Sequence, residues 1–388
     1  MRRIFWFIIL TGCCVGAASV LRSSLSLYGS GSVAYSVDTG YIHWDTAFPA
    51  VTVCEQIDVN RIKTYLQKND LSSSLATFYK EVSFWNIKYC KTCLSCAFNS
   101  TCVRNYQEGI VQIRLNCTDI LTDCWWDEKH FRCCDRFRPV HTEYGVCFVF
   151  NSALNGNETD VLKLNRRVGT PRLVLSAVEI INIRIHASDE TVSVALDNIL
   201  GRSSILPLMA TLEVILKAEQ TVNDVSVTSI SQGFRGCLFK NEQPTFVEKW
   251  PFNSYTYSAC LLNCRAMIQY SLCNCTYHFM SKIVQMPACD VEDEISKYTC
   301  DCPMGCDEIT YKPTHIFYNR SSKQGDSPVR ASKVVVRLSQ LPTMRVRRFA
   351  IRDNLGLVVD IGGVGGVFFG ASLLSLIEFV YLFCIRRK

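Results

Sequence analysis

The chain has 388 residues, and 48% of them are apolar, which is enough to bury a sizeable core. The formal net charge is +6, but Arg2, Arg3, Arg386, Arg387 and Lys388 lie at the two ends. The nearly neutral middle argues against a nucleic-acid-binding protein, which needs a basic face, and the 22 cysteines exclude a reduced compartment.

Nineteen of the 22 cysteines lie between two apolar terminal stretches, as expected of an oxidised extracellular domain. The basic residues at both ends place both termini in the cytoplasm by the positive-inside rule. Asn-x-Ser/Thr sequons agree with an extracellular middle, although the one at Asn274 lies between two cysteines. The predicted glycosylation sites are Asn99, Asn116, Asn157 and Asn319.

Residues 4–21 form the first apolar stretch, and its composition fits two interpretations. Arg2 and Arg3, a short apolar run and the small residues 16–19 describe a cleavable signal peptide. The same run describes a membrane helix that begins at the inner face.

Residues 28–60 predict extended structure. Residues 61–82 predict a helix, with turn signals at Asn69 and Asp70. Cys-x-x-Cys-x-x-Cys then begins at Cys90. That spacing occurs in iron–sulfur sites, but no fourth ligand follows at the ferredoxin spacing. In an oxidising compartment we interpret these cysteines as structural disulfides.

Residues 172–197 alternate apolar and polar side chains, as strands do. His186 is a candidate proton sensor, because histidine titrates nearest to physiological pH, but a structural histidine at a strand end is the preferred interpretation. The other five histidines form no metal pattern. Since no nucleophile–base pair, phosphate-binding glycine loop or paired carboxylates occur, we predict neither an enzyme nor a cofactor.

A cysteine-rich segment follows a strand-like region at residues 205–230. Cys260 and Cys264 lie four residues apart, so they would share one face of a helix. Cys300 and Cys302 lie two residues apart, so they would point to one side of an extended segment.

Residues 333–352 alternate as a strand interrupted at Leu341 and Pro342. The segment carries four arginines just before the last apolar stretch. We interpret them as a lipid-facing or solvated cluster; the alternative is that they tune a vestibule. They are Arg345, Arg347, Arg348 and Arg352.

The last apolar stretch, residues 360–385, is long enough to cross a bilayer as a helix. Gly362, Gly366 and Gly370 recur every fourth residue, so a neighbouring helix can approach closely. Glu378 is costly in hydrocarbon and is expected to face a helix bundle or a watery path. A simple anchor is the alternative, but the glycines favour a pore.

Several segments resemble the degenerin/epithelial sodium channel family, also called the amiloride-sensitive sodium channel family. Its second membrane segment is similar to 360–378, with a Gly-x-Ser triplet at 370–372 and a Glu six residues beyond the Ser. The Phe-Pro-Ala-Val-Thr-Val-Cys run at 48–54 and the pair Arg3 and Trp6 also resemble it. The cysteine pattern of 117–151 is similar to the insect pickpocket branch.

The resemblance implies a membrane protein with two transmembrane helices flanking a large disulfide-rich α+β ectodomain, built of a β-sheet palm and a helical thumb. It would be a two-span protein of the plasma membrane. The implied parts are a cytoplasmic N-terminus (1–3), transmembrane helix 1 (4–27), an extracellular domain (28–354), pore-lining transmembrane helix 2 (355–385) and a cytoplasmic tail (386–388). Within the extracellular domain, the thumb is implied at about 237–312, and its first helix is predicted at about 255–271.

The resemblance also implies a set of disulfides that brace the ectodomain, and leaves open whether Cys124 pairs with Cys133 or Cys134. The implied pairs are Cys54–Cys147, Cys124–Cys133 (or Cys134), Cys237–Cys306, Cys260–Cys302, Cys264–Cys300 and Cys275–Cys289. It assigns no partner to Cys90, Cys93, Cys96, Cys102, Cys117 and Cys273.

Two departures from the family pattern bear on gating. The family has a His-Gly pair in a cytoplasmic segment before helix 1. No such pair precedes residue 4 in this sequence, so we expect either that the subunit gates without it or that a further segment precedes Met1. Only ten residues separate Cys289 from Cys300, so the second thumb helix is expected to be short or absent.

The function implied is a trimeric, sodium-selective, amiloride-sensitive, voltage-independent cation channel, with Na⁺ as the permeant ion. Its partners would be related subunits, in a homo- or hetero-trimer, and membrane lipid. A non-conducting regulatory subunit and a single-pass receptor with a cleaved signal peptide are the alternatives. The implied residues are Gly370, Ala371 and Ser372 (selectivity filter), Asp360, Ser375 and Glu378 (pore), Gly366 (blocker binding) and Val359 (gating).

Overall fold

A computed structural model describes residues 2–29, 33–84, 106–155, 161–194, 196–245, 247, 250–273, 276, 278–287, 300–320, 331–351, 354–370 and 372–382. The chain divides into two compact units. The terminal unit comprises Met1–Asp38, Thr221–Cys237 and Val346–Lys388. The central unit comprises Thr39–Gln220 and Leu238–Arg345.

The described α-helices are α1 (Arg2–Gly29), α2 (Val59–Lys68), α3 (Ala76–Ser83), α4 (Gln107–Ile113), α5 (Cys117–Ile120), α6 (Cys133–Arg136), α7 (Gln232–Arg235), α8 (Tyr257–Cys273), α9 (His278–Val284), α10 (Asn354–Phe369) and α11 (Leu373–Val380).

The described strands are β1 (Val33–Asp38), β2 (Thr46–Ala47), β3 (Ala50–Glu55), β4 (Leu121–Trp126), β5 (Lys129–Phe131), β6 (Arg138–Thr142), β7 (Gly145–Phe150), β8 (Lys163–Leu164), β9 (Arg172–Ala177), β10 (Ile181–His186), β11 (Ile205–Leu206), β12 (Ala210–Asn223), β13 (Cys237–Leu238), β14 (Met304–Gly305), β15 (Glu308–Arg320), β16 (Ser332–Leu338) and β17 (Arg345–Ala350).

Two sheets of the central unit share one hydrophobic core. One sheet has the order β11-β10-β3-β7-β6, and the other contains β12-β16-β9-β4-β5. In β10, Ile181, Ile183 and Ile185 are buried and alternate with half-buried residues. This period of two is what the alternating sequence of 172–197 predicts, because successive strand side chains point to opposite faces.

The predicted helix over residues 61–82 is two helices in the structure. Asp58 caps α2, since its carboxylate accepts hydrogen bonds from the N–H groups of Asn60 and Arg61. The break comes at the predicted turn, where Asp70 has a φ of 52°. With α4, these helices bury a small aromatic core around Phe78 and Tyr79.

The helix predicted at about 255–271 is α8, which begins at Tyr257 and ends at Cys273. The helix that follows it among the described residues, α9, has only 7 residues. Their facing side chains form a separate apolar cluster of Leu262, Ala266, Phe279, Met280 and Val284.

Five disulfides have both partners assigned among the described cysteines, and four of them are pairs that the resemblance implied. They are Cys54–Cys147, Cys124–Cys133, Cys260–Cys302 and Cys264–Cys300. The fifth pair, Cys117–Cys134, was not expected. Cys134, the alternative partner of Cys124, is therefore bound to Cys117.

Other cysteines leave part of the predicted pattern open. Cys237 and Cys306 are each disulfide-bonded, and their mutual pairing stays a prediction. The pair Cys275–Cys289 and the cysteines between 85 and 105 lie outside the described residues.

Glu143 is a fully buried carboxylate at the β6–β7 turn. It accepts hydrogen bonds from the Ser193 hydroxyl and the Val194 N–H, both at 2.7 Å. Arg265 of α8 reaches its other oxygen at 2.5 Å. Because a buried charge is costly unless paired and hydrogen-bonded, this cluster fixes α8 to the turn.

We expect Arg265→Ala to lower the free energy of unfolding by about 3 kcal/mol, because Glu143 would keep a buried charge without its cation. This figure is at the low end for buried pairs, since Arg265 is itself partly exposed. The measurement is the unfolding midpoint of the purified full chain. Lys312→Ala, which breaks the exposed pair with Glu219 at 2.7 Å, is the matched control and should cost less than about 1 kcal/mol. Equal effects would contradict the role given to Glu143.

The interrupted terminal helix as the candidate functional site

In the terminal unit, α1 is a continuous helix of 28 residues. Among the described residues, the segment Arg3–Gly29 is the one helix that is long and apolar enough to cross a membrane. The predicted second membrane helix, 355–385, is instead two shorter helices, α10 with 16 residues and α11 with 8.

The helices α1 and α10 pack against each other. A Cβ atom on Gly16 would lie 2.6 Å from the ring of Phe368, so only glycine permits this approach. Ala17 and Val364 are also buried. Val364 and Phe368 lie four residues apart, on one face of α10. The sequence interpretation took residues 16–19 only as small residues of a cleavage site and missed this contact.

The interruption between α10 and α11 falls at the predicted selectivity filter. Gly370 has a φ of 63°, in the left-handed region that favours glycine, and its N–H donates to the Gly366 carbonyl at 3.0 Å. Ser372 begins the next helix, because its hydroxyl accepts a hydrogen bond from the Ser375 N–H at 3.3 Å. Ala371 lies outside the described residues.

A helix that stops and restarts frees backbone groups at both ends of the break. The last carbonyls of α10 and the first N–H groups of α11 have no partner within their own helix. In an apolar surrounding such groups are tolerated only where they are buried in protein or line a water-filled cavity. Carbonyl oxygens at such breaks are ligands for cations in other membrane proteins.

The other predicted pore residues lie on either side of the interruption. Val359 and Gly366 are exposed on α10, and Asp360 is half-buried there. Ser375 and Glu378 are exposed one turn apart on α11. The Ser372 and Ser375 hydroxyls lie 3.1 Å apart. Asp360 and Glu378 are on different helices, and the structure does not bring them together.

Three glycines of α10 make no close packing contact within the described chain. A Cβ atom at Gly362, Gly363 or Gly365, or at Gly370 just beyond the helix, would meet no heavy atom within 4 Å. Gly16 of α1, by contrast, is in tight contact with a neighbouring ring. The surface of α10 at Gly362, Gly363 and Gly365 is therefore open to another helix or to water.

The predicted cluster of lipid-facing or solvated arginines is wrong for Arg348. This side chain is buried, and its guanidinium donates to the Arg235 carbonyl at 2.7 Å and contacts the Cys237 sulfur. Arg347 pairs with Asp224 at 2.6 Å. In the central unit, Arg345 stacks on the Trp44 ring at 4.2 Å. Arg352 lies outside the described residues.

His186, the candidate proton sensor, is held by two hydrogen-bonded contacts. They join its ring to the Thr52 hydroxyl at 2.6 Å and the Ala187 carbonyl at 2.8 Å. Burial lowers its pKa to about 4, so the ring stays neutral at physiological pH. Nearby, burial and then Asp189 raise the pKa of Glu190 to about 7. The alternating hydropathy of this segment does not indicate that the Glu190 carboxyl has a raised pKa.

Two of the predicted glycosylation sites belong to the described residues. Asn116 and Asn319 are both exposed. Asn99 and Asn157 lie outside the described residues, as does Asn274. Their modification stays a prediction.

A family model described as amiloride-sensitive sodium channel matches residues 1–382. The chain belongs to this family. It is therefore related to membrane-embedded ion channels of the plasma membrane and not to enzymes. The similarity to insect pickpocket proteins supports the predicted pickpocket branch of the family.

The relatives are similar at low identity over most of the chain. Sodium channel protein Nach of Drosophila ananassae is 24% identical, over 87% of this chain and 72% of the relative. The human bile acid-sensitive ion channel is 23% identical, over 99% of this chain and 81% of its own length. Pickpocket protein 19 of Drosophila melanogaster is 22% identical, over 68% and 59%.

We expect Gly16→Leu to lower the unfolding midpoint of the full chain, because the added side chain collides with Phe368. Overpacking of this kind costs about 1–3 kcal/mol. Gly12→Leu is the matched control, since a Cβ at Gly12 meets nothing within 4 Å. Phe368→Ala should rescue the first variant in part. If Gly12→Leu and Gly16→Leu behaved alike, the packing of α1 on α10 would be refuted.

We expect Glu190 to make the central unit less stable as pH rises. Its pKa is about 7 in the folded chain and 4.5 in the reference state, so between these values the folded chain binds more protons. Its contribution is complete below about pH 4.5 and is lost as pH rises through about 7. Unfolding midpoints from pH 5 to 8 measure this slope. Glu190→Gln should reduce it, with Asp197→Asn as the control; an undiminished slope would exclude Glu190 as its source.

Proposed function

We propose that the chain is a subunit of a trimeric, sodium-selective, amiloride-sensitive, voltage-independent cation channel of the plasma membrane. In this proposal α1 is the first span, and α10 with α11 is the second. The cytoplasmic termini follow from the positive charges at both ends. The observation that carries the proposal is the interruption of the terminal helix at Gly370 and Ser372.

The interruption supports a pore because its free backbone groups need partners. A lipid-facing break would leave carbonyls without hydrogen bonds at several kcal/mol each. Facing a water-filled path, the same carbonyls and the Ser372 hydroxyl can replace part of the hydration shell of a cation. Such oxygen ligands suit Na⁺.

One chain with two spans cannot enclose a path for ions, so several copies must assemble. The open surface at Gly362, Gly363 and Gly365 of α10 supports this step, because small residues let helices approach closely in a membrane. Closed symmetry is the usual solution for identical or related subunits. A trimer, of this chain or with related subunits, is the form that we propose.

Carboxylates on both sides of the interruption favour cations over anions. Asp360 precedes the break and Glu378 follows it. Three copies of each would raise the local cation concentration and repel anions. Gly366, one turn before Gly370, is the proposed blocker contact. Val359 is the proposed gating position, where a bulky side chain hinders closing and biases the channel towards the open state.

The alternative of a receptor with a cleaved signal peptide is disfavoured by α1. Cleavage near residues 18–19 would cut through a continuous helix of 28 residues. It would also remove Gly16 from its contact with Phe368. A non-conducting regulatory subunit has the same fold as a conducting one, so only current distinguishes the two.

Expression in oocytes tests the proposal. We expect a resting current that amiloride blocks and that disappears when a large organic cation replaces extracellular Na⁺. Glu378→Gln should lower the current about tenfold at low ionic strength, and less at high salt, because the carboxylates concentrate cations. Ser372→Ala should alter the preference for Na⁺, and Val359→Gly should lower the resting current.

Asp123→Asn, at an exposed carboxylate of the central unit, controls for changes in expression and should conduct as the wild type does. Surface protein without current would favour the regulatory subunit. A Na⁺ current insensitive to both Glu378→Gln and Ser372→Ala would contradict the proposed pore.

A further inference from the structure

The central unit contains a cavity of about 510 Å³ between α4, the hairpin of β6 and β7, and α9. This volume lies in the range of sites that take small organic molecules. Most of the cavity wall is apolar, and its main contributors are Ile110, Val111, Val146, Phe148 and Phe279.

One wall of the cavity is fixed by residues that already have hydrogen-bonding or packing partners. Arg114 donates to the carbonyls of Ser83, Tyr144 and Val146 at 2.7–3.2 Å. Gly145 has a φ of 90°, and a Cβ there would lie 3.1 Å from Arg114 and 3.2 Å from Phe279. These contacts fix one wall of the cavity, so a ligand would bind to a largely preformed site.

Two nitrogen-bearing side chains lie on the same side of the cavity. Lys282 is exposed on α9, which packs beside β6, and His141 is exposed on β6. Partial burial of the imidazole ring, and then the Lys282 ammonium, lowers the pKa of His141. His141 is therefore a neutral hydrogen-bonding group beside a cation at physiological pH.

A different element of the lining, α4, carries the one carboxylate among the lining residues, Glu108. Within the described part of the chain, neither Glu108 nor Lys282 forms an ion pair. Arg114, by contrast, is paired with Glu55 at 3.4 Å. On the side of α9 and β6, the charge available to a ligand is therefore the positive charge of Lys282.

We propose that this cavity binds an organic anion with an apolar body, whose carboxylate contacts Lys282 and His141. The apolar body would lie against Val146, Phe148 and Phe279. A ligand there would touch three elements that belong to separate parts of the core, so its binding would tie α9 to α4. The assignment concerns binding alone and does not depend on whether the channel conducts.

Photo-crosslinking with 4-benzoylbenzoate tests this site on the purified full chain in lipid nanodiscs. We expect saturable labelling that maps by mass spectrometry to α4, the β6–β7 hairpin or α9. Lys282→Gln should reduce it about tenfold, as loss of one charge-assisted hydrogen bond does. Lys63→Gln, at an exposed lysine of α2, should not change it. The neutral 4-methylbenzophenone should label weakly and be insensitive to Lys282→Gln.

Two further variants separate the proposal from its competitors. Glu108→Gln should maintain or raise labelling. If Glu108→Gln lowered labelling and Lys282→Gln left it unchanged, the cavity would prefer cations, and the proposal would be overturned. Val146→Trp should fill the cavity and abolish labelling. Labelling that survives Val146→Trp, or that maps to other peptides, would also refute the site. Unfolding midpoints of all variants should match the wild type, so that lost labelling reports binding and not unfolding.

Discussion

The hydrogen-bonding requirement of the peptide backbone is the constraint on which the terminal unit depends. A helix that stays intact satisfies its own N–H and C=O groups, and α1 does so over its whole length. The segment that follows α10 does not, because the chain turns through a left-handed glycine and restarts at a serine cap. In a membrane-embedded family, groups freed in this way need water, protein or an ion as partner. The pore hypothesis follows from that need more directly than from the identity of any single side chain.

The central unit is stabilised by covalent and ionic links between elements that are distant in sequence. The disulfide of Cys54 and Cys147 joins β3 to β7, and two others join α8 to the segment that returns from it. Glu143 adds a buried ionic contact from the sheet to α8. Each disulfide typically contributes about 2–4 kcal/mol. Such links keep α8 fixed to the sheet, while the cavity beside α9 has no such link across it among the described residues.

The features that could be predicted from sequence are those with a local signal. Alternation marked the strands of 172–197, and Asn69 and Asp70 marked a turn. Four of the described disulfides were implied by the family resemblance and not by a local signal. The helix break within 355–385 could not be found by hydropathy, since the segment is apolar throughout and glycine is common inside membrane helices. Burial of Arg348 and the raised pKa of Glu190 depend on neighbours far along the chain. The periodicity of a sequence does not indicate such contacts, because they form only when distant segments pack together.

The contact of Gly16 with Phe368 has a mechanical consequence. Phe368 lies two residues before Gly370, so the ring that rests on α1 is almost at the point where α10 ends. Because the ring packs directly on Gly16, a displacement of α1 is passed to the end of α10. In the proposed channel, a movement of the first span would therefore reach the predicted filter at Gly370 and Ser372 without any intermediate element.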